Sequence, residues 1–200
     1  MANTLKGLYI GGQWVRTATQ FDDLNPSDGS VWATAPNASL TETAMAIGAA
    51  QEAFPKWAAL PFQERSHFMI KVASVIERRK NDFVEALRYE GGGWIGKGMF
   101  EAGYVPEVFH AAAASNYASI GEVMPSEHGK FSLAVRRPMG VITCISPWNF
   151  PGVLTARGIA FALAAGNTVI LKPSEETPYT GGLFFAEAFE EAGVPAGVLN

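Results

Sequence analysis

Two short segments carry polar side chains at the places where a parallel α/β fold does its chemistry. The first is Ile145-Ser146-Pro147-Trp148-Asn149-Phe150-Pro151, which follows the apolar run Val141 to Ile145 and leads into a helix that Pro151 opens. Loops at the carboxyl ends of parallel strands are where such sheets bind ligands. Two prolines stiffen this turn and hold Asn149 near a helix N-terminus. Its amide can donate a hydrogen bond without bringing charge, which suits an oxyanion that develops during a reaction. Standing alone, the motif would read as a rigid turn with an asparagine cap. The second segment, Leu171-Lys172-Pro173-Ser174-Glu175, ends the next apolar run. Lysine and glutamate there could both contact ribose hydroxyls, and a glutamate accepts from a 2′-hydroxyl while repelling a 2′-phosphate. The plainer alternative is a pair of solvated surface charges.

Three other features invite chemistry less convincingly. Gly91, Gly93 and Gly96 satisfy G-x-G-x-x-G, and Lys97 comes one residue short of a P-loop because Gly98 replaces the required Ser or Thr. Both fingerprints need a buried strand before them, whereas a charged helix over Asp82 to Arg88 precedes this one, so the segment reads as a helix-to-helix loop. Cys144 lies inside an apolar run, where desolvation raises a thiol pKa and keeps it unreactive. His67, His110 and His128 lack metal-ligand spacing, so no metal is expected.

The elements that must position these residues follow from periodicity. Leu8-Tyr9-Ile10 and Trp14-Val15 flank Gly11-Gly12, a hairpin signal, and Ser30 to Thr34 is strand-like. Ser39-Leu40-Thr41-Glu42 has capping-box spacing, and Ala44, Ile47, Ala50, Phe54 and Trp57 follow at helical spacing, with an interruption expected at Pro55. Further helices are predicted after Pro61, over Asp82 to Arg88, and around Val105, Phe109, Ala112 and Ala113. Phe131 to Val135 alternates like a half-exposed strand. Val141 to Ile145 and Thr168 to Leu171 read as buried parallel strands, Pro151 to Gly166 and Thr177 to Gly193 as helices, and Val198-Leu199 as a further strand. The predicted class is α/β: a helical amino-terminal region, then an incomplete Rossmann-like parallel sheet with covering helices.

Bulk properties exclude several classes. The chain has 200 residues, is 48% hydrophobic and 17% charged, and carries a net charge of -4, so it can build a core. Its basic residues are scattered, which argues against nucleic acid. The one basic run, Arg78-Arg79-Lys80, sits where a helix should end and reads as compensation of the helix dipole. Met1 to Gly7 lacks the apolar stretch of a signal peptide, and no segment approaches the roughly 18 apolar residues of a membrane span. With a single cysteine, no intrachain disulfide can form. A cytoplasmic setting is expected.

From Arg137 to Asn200 the sequence resembles the aldehyde dehydrogenase superfamily. The matching strings are R-P-M-G-V-I, I-S-P-W-N-F-P, A-L-A-A-G-N-T-V-I-L-K-P-S-E and A-G-V-P-A-G-V-L-N, with A-F-P-K-W and Q-E-R-S upstream. The resemblance implies NAD as cofactor and Asn149 as the side-chain donor to the oxyanion of a thiohemiacetal. By the same resemblance Ile145, Ser146, Pro147 and Trp148 line the cofactor groove. Lys172 and Glu175 bind the adenine-side ribose with Ser174 nearby, and Phe150 and Leu154 face the substrate tunnel. The segment Gly93 to Glu101 is similar to that of bacterial dehydrogenases for benzaldehyde-like and vanillin-like substrates, so an aromatic aldehyde is expected. Residues 1–200 would form an incomplete amino-terminal part of the NAD-binding domain, with an oligomerisation arm at about 128–138 and the catalytic domain absent. The nucleophilic cysteine and the glutamate base of relatives lie beyond the equivalent of Asn200. The chain alone is therefore expected to be inactive, and a homo-oligomer when complete. The alternative is a non-catalytic remnant that binds nucleotide weakly or pairs with full-length subunits. Where many relatives carry Glu-Thr-Gly or Glu-Ser-Gly, this chain has Glu90-Gly91-Gly92.

Overall fold

A computed structural model describes residues 3–200; Met1 and Ala2, the start of the segment read as lacking a leader, lie outside the described residues. The chain opens with five strands: β1 (Asn3–Thr4), β2 (Leu8–Ile10), β3 (Gln13–Val15), β4 (Thr19–Leu24) and β5 (Val31–Asn37). The β2–β3 hairpin turns through Gly11 and Gly12, both at positive φ, as their dipeptide signalled. Strand β4, not expected from the sequence, pairs antiparallel with β5. Its only buried residue is Asp23, so it shows no apolar alternation to read.

Four helices follow: α1 (Leu40–Ala59), α2 (Phe62–Arg78), α3 (Lys80–Glu90) and α4 (Ile95–Ser115). The capping box of α1 is formed, with Ser39 and Glu42 satisfying each other's backbone donors. The expected break at Pro55 does not occur. Pro55 and Gln51, whose carbonyl loses its partner, both lie on the exposed face, where water can satisfy that oxygen. Beyond Pro55, Trp57 is fully buried, and its indole N–H donates to the Leu163 carbonyl at 3.0 Å, holding the last turn in place. The basic run between α2 and α3 makes tertiary contacts as well as ending a helix. Arg78 pairs with Glu191, and Arg79 reaches Glu187 at 2.8 Å.

A hairpin of β6 (Gly121–Met124) and β7 (Ser132–Val135) comes next. All four residues of β7 are exposed, so the half-buried edge inferred from alternation is a ribbon open on both faces. Strands β8 (Val141–Ile145) and β9 (Thr168–Lys172) then pair in parallel around helix α5 (Pro151–Ala164). A π-helical turn at Tyr179–Leu183 leads into α6 (Phe184–Glu191), and the 198–200 segment bonds to the free side of β9, with Asn200 N–H on Val169 O at 3.0 Å. This is the predicted strand-helix-strand order.

The core gathers Trp57, Met69, Phe83, Leu87, Phe109 and Ile159 with Phe184, Phe185 and Phe189. Helix α5 lies between the β8–β9 pair on one side and α2 and α4 on the other. Strand β8 is less buried than predicted, with Ile145 74% exposed. The two strands present alternate residues to different surroundings: Val169 lies in the core with Ile142, Cys144 and Leu171 packed against it, whereas Thr143, Ile145, Ile170 and Lys172 line an open groove that Leu171 also borders.

Candidate functional site

Strands β8 and β9 end in register, Ile145 against Lys172, and the Ser146 N–H donates to the Lys172 carbonyl at 3.0 Å. The Asn149 turn and the Lys172–Glu175 loop thus leave the sheet at the same carboxyl edge, the ligand-binding edge of such sheets. Between β8, β9 and the α1 side of the molecule runs the groove, about 510 Å³ in volume and mostly apolar. Ile145, Lys172, Ser174 and Glu175 all contribute to its wall. Lys172 Nζ lies 3.5 Å from Glu175 Oε2, with both side chains largely in solvent. A hydrogen bond to its own backbone N–H, with the Lys172 ammonium beside it, holds the Glu175 carboxyl below its usual range. Glu175 is therefore an anion at neutral pH, able to accept hydrogen bonds from hydroxyls and to repel a phosphate.

The remaining residues read from the sequence divide by exposure. Pro147, Trp148, Asn149 and Phe150 are exposed on the turn, and Leu154 is half-buried in the first turns of α5. Ser146 is buried instead, its Oγ 2.6 Å from Thr155 Oγ1, which lies 2.8 Å from the Gly181 carbonyl. Its hydroxyl ties the strand end to α5 and the π turn. Ser146, Pro147, Trp148, Asn149, Phe150 and Leu154 are not part of the groove wall.

Sequence reading missed the residues that hold these loops. At the amino end of α5 the N-cap is Phe150, which has no side-chain acceptor, and Pro151 brings no N–H. The orphan donors of Gly152 and Val153 both point to Glu101 Oε2 on α4, at 2.9 and 3.2 Å. Glu101 is fully buried, and its Oε1 lies 2.9 Å from Lys97 Nζ. Lys97 also sits over the Phe150 ring, 5.1 Å from its centroid. A visible signal existed: Glu101 falls four residues before Val105 and eight before Phe109, a carboxylate on an otherwise apolar helical stripe. The near-P-loop lysine has thus found a carboxylate within its own helix. Gly96 and Gly98 lie in the first turn of α4, and only residues 91–94 form the connection read from the sequence.

Glu90 plays the same part for the other loop. It is buried and accepts from the backbone N–H of Tyr179 at 2.5 Å and of Thr180 at 2.8 Å, and from the Thr180 hydroxyl. These bonds anchor the π turn just beyond Glu175. Cys144 belongs to the core face of β8, its sulfur so close to α5 that a Cβ on Gly158 would come within 2.4 Å. Burial pushes the thiol up, away from the reactive thiolate. Among the described residues no three His, Cys, Asp or Glu gather as metal ligands, and no helix is long and apolar enough to cross a membrane.

Comparison with known proteins gives a consistent answer. Residues 14–200 match the aldehyde dehydrogenase family. The chain is 40% identical over 194 residues to the vanillin dehydrogenase of Corynebacterium glutamicum, covering 96% of this chain and 40% of that protein. It is also 40% identical over 196 residues to the NAD(+) benzaldehyde dehydrogenase of Pseudomonas putida, covering 97% and 40%. Among solved structures, the salicylaldehyde dehydrogenase of Pseudomonas putida G7, complexed with salicylaldehyde, superposes with a TM-score of 0.94 at 35% identity, covering all of this chain and 41% of that one. The chain therefore spans about 40% of the length of the curated relatives it matches.

Proposed function

The chain belongs to the aldehyde dehydrogenase family, and from that premise we propose that it supplies the oxyanion donor and the adenosine side of the NAD site to an enzyme oxidising aromatic aldehydes to carboxylates. The observation that carries this reading is the register of β8 and β9. It sends the Asn149 turn and the Lys172–Glu175 loop off one edge of a parallel sheet, beside a groove.

The residues fit NAD by their chemistry. Lys172 can donate to ribose hydroxyls and Glu175 can accept from them, while Ile145 gives the groove an apolar wall beside the sugar. Ser174 lies between the two charged residues. Ser146 acts by fixing the backbone, and Pro147 and Trp148 shape the turn. NAD, when bound, supplies the hydride acceptor. The Asn149 amide donates to the aldehyde oxygen as negative charge develops on it, a contribution that grows toward the transition state. The nucleophile and the base that activates water come from the remainder of a complete enzyme, since Cys144 faces the core.

An aromatic substrate is supported by the names of the relatives and by the rings beside the turn. Phe150 meets Phe100 edge-on at 6.4 Å, and Phe100 stacks on Tyr104 at 5.8 Å. Phe150 and Leu154 face the substrate in this reading. The 128–138 arm pairs with a second subunit through the open β6–β7 ribbon, which exposes Val123, Met124, Phe131, Leu133 and Val135. The assembly is cytoplasmic in this reading. The test is NADH formation from benzaldehyde and from an aliphatic aldehyde by a complete enzyme that begins with this sequence. A preference for benzaldehyde supports the reading, turnover of the aliphatic substrate alone rejects its aromatic part, and no turnover of either rejects the whole. The 200-residue polypeptide by itself should reduce no NAD.

A further inference from the structure

We infer that Glu101, paired with Lys97, is a positioning residue for the Asn149 turn: one carboxylate on α4 serves as the side-chain cap of α5. The inference rests on the reading of Asn149 as the oxyanion donor, and adds what holds that donor still.

The first helical N–H groups of α5 have no partners within the helix. Pro151 has no N–H, and Leu154 N–H is met by the Phe150 carbonyl at 3.0 Å. Gly152 and Val153 remain. Residue 150 would ordinarily cap them, but phenylalanine has no acceptor, and both go to Glu101 Oε2 instead. Glu101 is separated from them by 51 and 52 residues of chain, so the cap also joins two helices.

Close approach makes this possible. A Cβ at Gly152 would come 2.6 Å from the Phe83 ring and 3.3 Å from Glu101 Oε2, so α5 starts with a glycine where α3 and α4 press on it. A buried carboxylate is tolerable only with compensation. Here one oxygen receives two backbone donors at the positive end of α5, and the other, which has no hydrogen-bond partner among the described residues, is ion-paired with the Lys97 ammonium 2.9 Å away. Lys97 adds a second hold through its position over the Phe150 ring. Asn149 is adjacent to Phe150 and three residues before Gly152, and its own side chain is exposed. Thus an exposed donor is carried on a turn gripped from beneath at both the ring and the helix start. A donor to a developing charge must already point at it, because reorienting during reaction would cost what the bond returns.

The experiment uses a complete enzyme carrying this sequence, loaded with NAD, and reads the pre-steady-state burst of NADH from benzaldehyde. Glu101→Asp retracts the carboxylate from Gly152 and Val153 while keeping the charge. Glu101→Gln keeps an oxygen for them while losing the charge. The expected result is a burst slowed about tenfold or more in Glu101→Asp, as misplacement of a catalytic group by a fraction of an ångström to ~1 Å can do. Glu101→Gln should recover most of it, with the KM for NAD unchanged in both. In the double variant with Asn149→Ala, Glu101→Asp should add nothing to the loss from Asn149→Ala alone, since it acts through that residue. A parental burst in Glu101→Asp, or a loss that multiplies fully with Asn149→Ala, would overturn the proposal. If Asn149→Ala itself keeps the parental burst, the oxyanion reading fails first and the positioning role falls with it. Should Glu101→Asp not fold, Lys97→Gln replaces it in the same cycle: a slowed burst that adds nothing to Asn149→Ala supports the role, and a parental or fully multiplying one overturns it.

Discussion

Ile145 stands opposite Lys172 in the register of two parallel strands, so the turn bearing Asn149 and the loop bearing Glu175 rise from one edge of the sheet. That single pairing places a neutral hydrogen-bond donor and an anionic acceptor on the two sides of a shared rim. It is what an enzyme needs if its reacting carbonyl and its cofactor's ribose are to be held at once.

Glu175 should set the choice between NAD and NADP. Its carboxyl is held below the usual range, so it is charged at neutral pH. Replacing it with Gln in a complete enzyme should improve the kcat/KM ratio for NADP over NAD by about fivefold or more. A like-charge contact at ~4 Å in a wet site is worth about 1 kcal/mol. An unchanged ratio would show that the carboxylate does not meet the ribose.

The Asp23–Glu90 pair should make stability depend on pH. Both carboxyls are buried and each feels the other's charge, and Asp23 Oδ2 has no hydrogen-bond partner among the described residues. Burial above all, with the nearby Glu176 adding to it, pushes Asp23 up from 3.8 to about 7, against an opposing effect of Glu90 beside it. Burial and the Asp23 charge push Glu90 well up too. The folded state therefore keeps a proton that the unfolded chain releases near pH 4. The stabilisation is full below that pH and is lost as pH rises through about 7. Thermal melts of a complete enzyme should show Asp23→Asn with a smaller fall in Tm between pH 5 and pH 8 than the parent. Equal falls in the two proteins would mean the pair does not share a proton.

Much of this arrangement was legible in the sequence, for physical reasons that also mark where reading stops. The Gly11-Gly12 hairpin, the Ser39 capping box and the order from Val141 to Leu199 rest on local patterns: turn dipeptides, cap spacing and apolar runs bounded by Pro and Gly. Pro55 misled because the cost of a helical proline depends on whether water can reach the stranded carbonyl, which is a tertiary fact. Strand β4 was invisible because its one buried residue is Asp23, a polar residue that leaves no apolar alternation to read. The site loops were found, but not their supports. Glu101 and Glu90 act on backbone N–H groups 51 and 90 residues away, and no local pattern reports that. Ser146 was placed at the cofactor groove by the family resemblance; that its hydroxyl is buried against Thr155 is a tertiary contact no local pattern reports.

The β6–β7 ribbon should be needed for assembly. Its apolar side chains are exposed on both faces, and Phe131 is 75% exposed, which a lone subunit would have to leave in water. Deleting residues 128–138 from a complete enzyme should yield smaller particles by light scattering. An unchanged mass would assign the contact elsewhere.

The role of Asn149 is tested head-on by the turnover of Asn149→Ala in a complete enzyme, measured with benzaldehyde at saturating NAD. The amide contributes most when charge has developed on the aldehyde oxygen, and removing one such donor typically costs about 10²–10³ in kcat. A fall of that order is expected, with the KM for aldehyde little changed. A kcat within a few-fold of the parent, or an effect confined to KM, would refute the oxyanion role and leave Asn149 as a residue that only positions substrate or closes a turn.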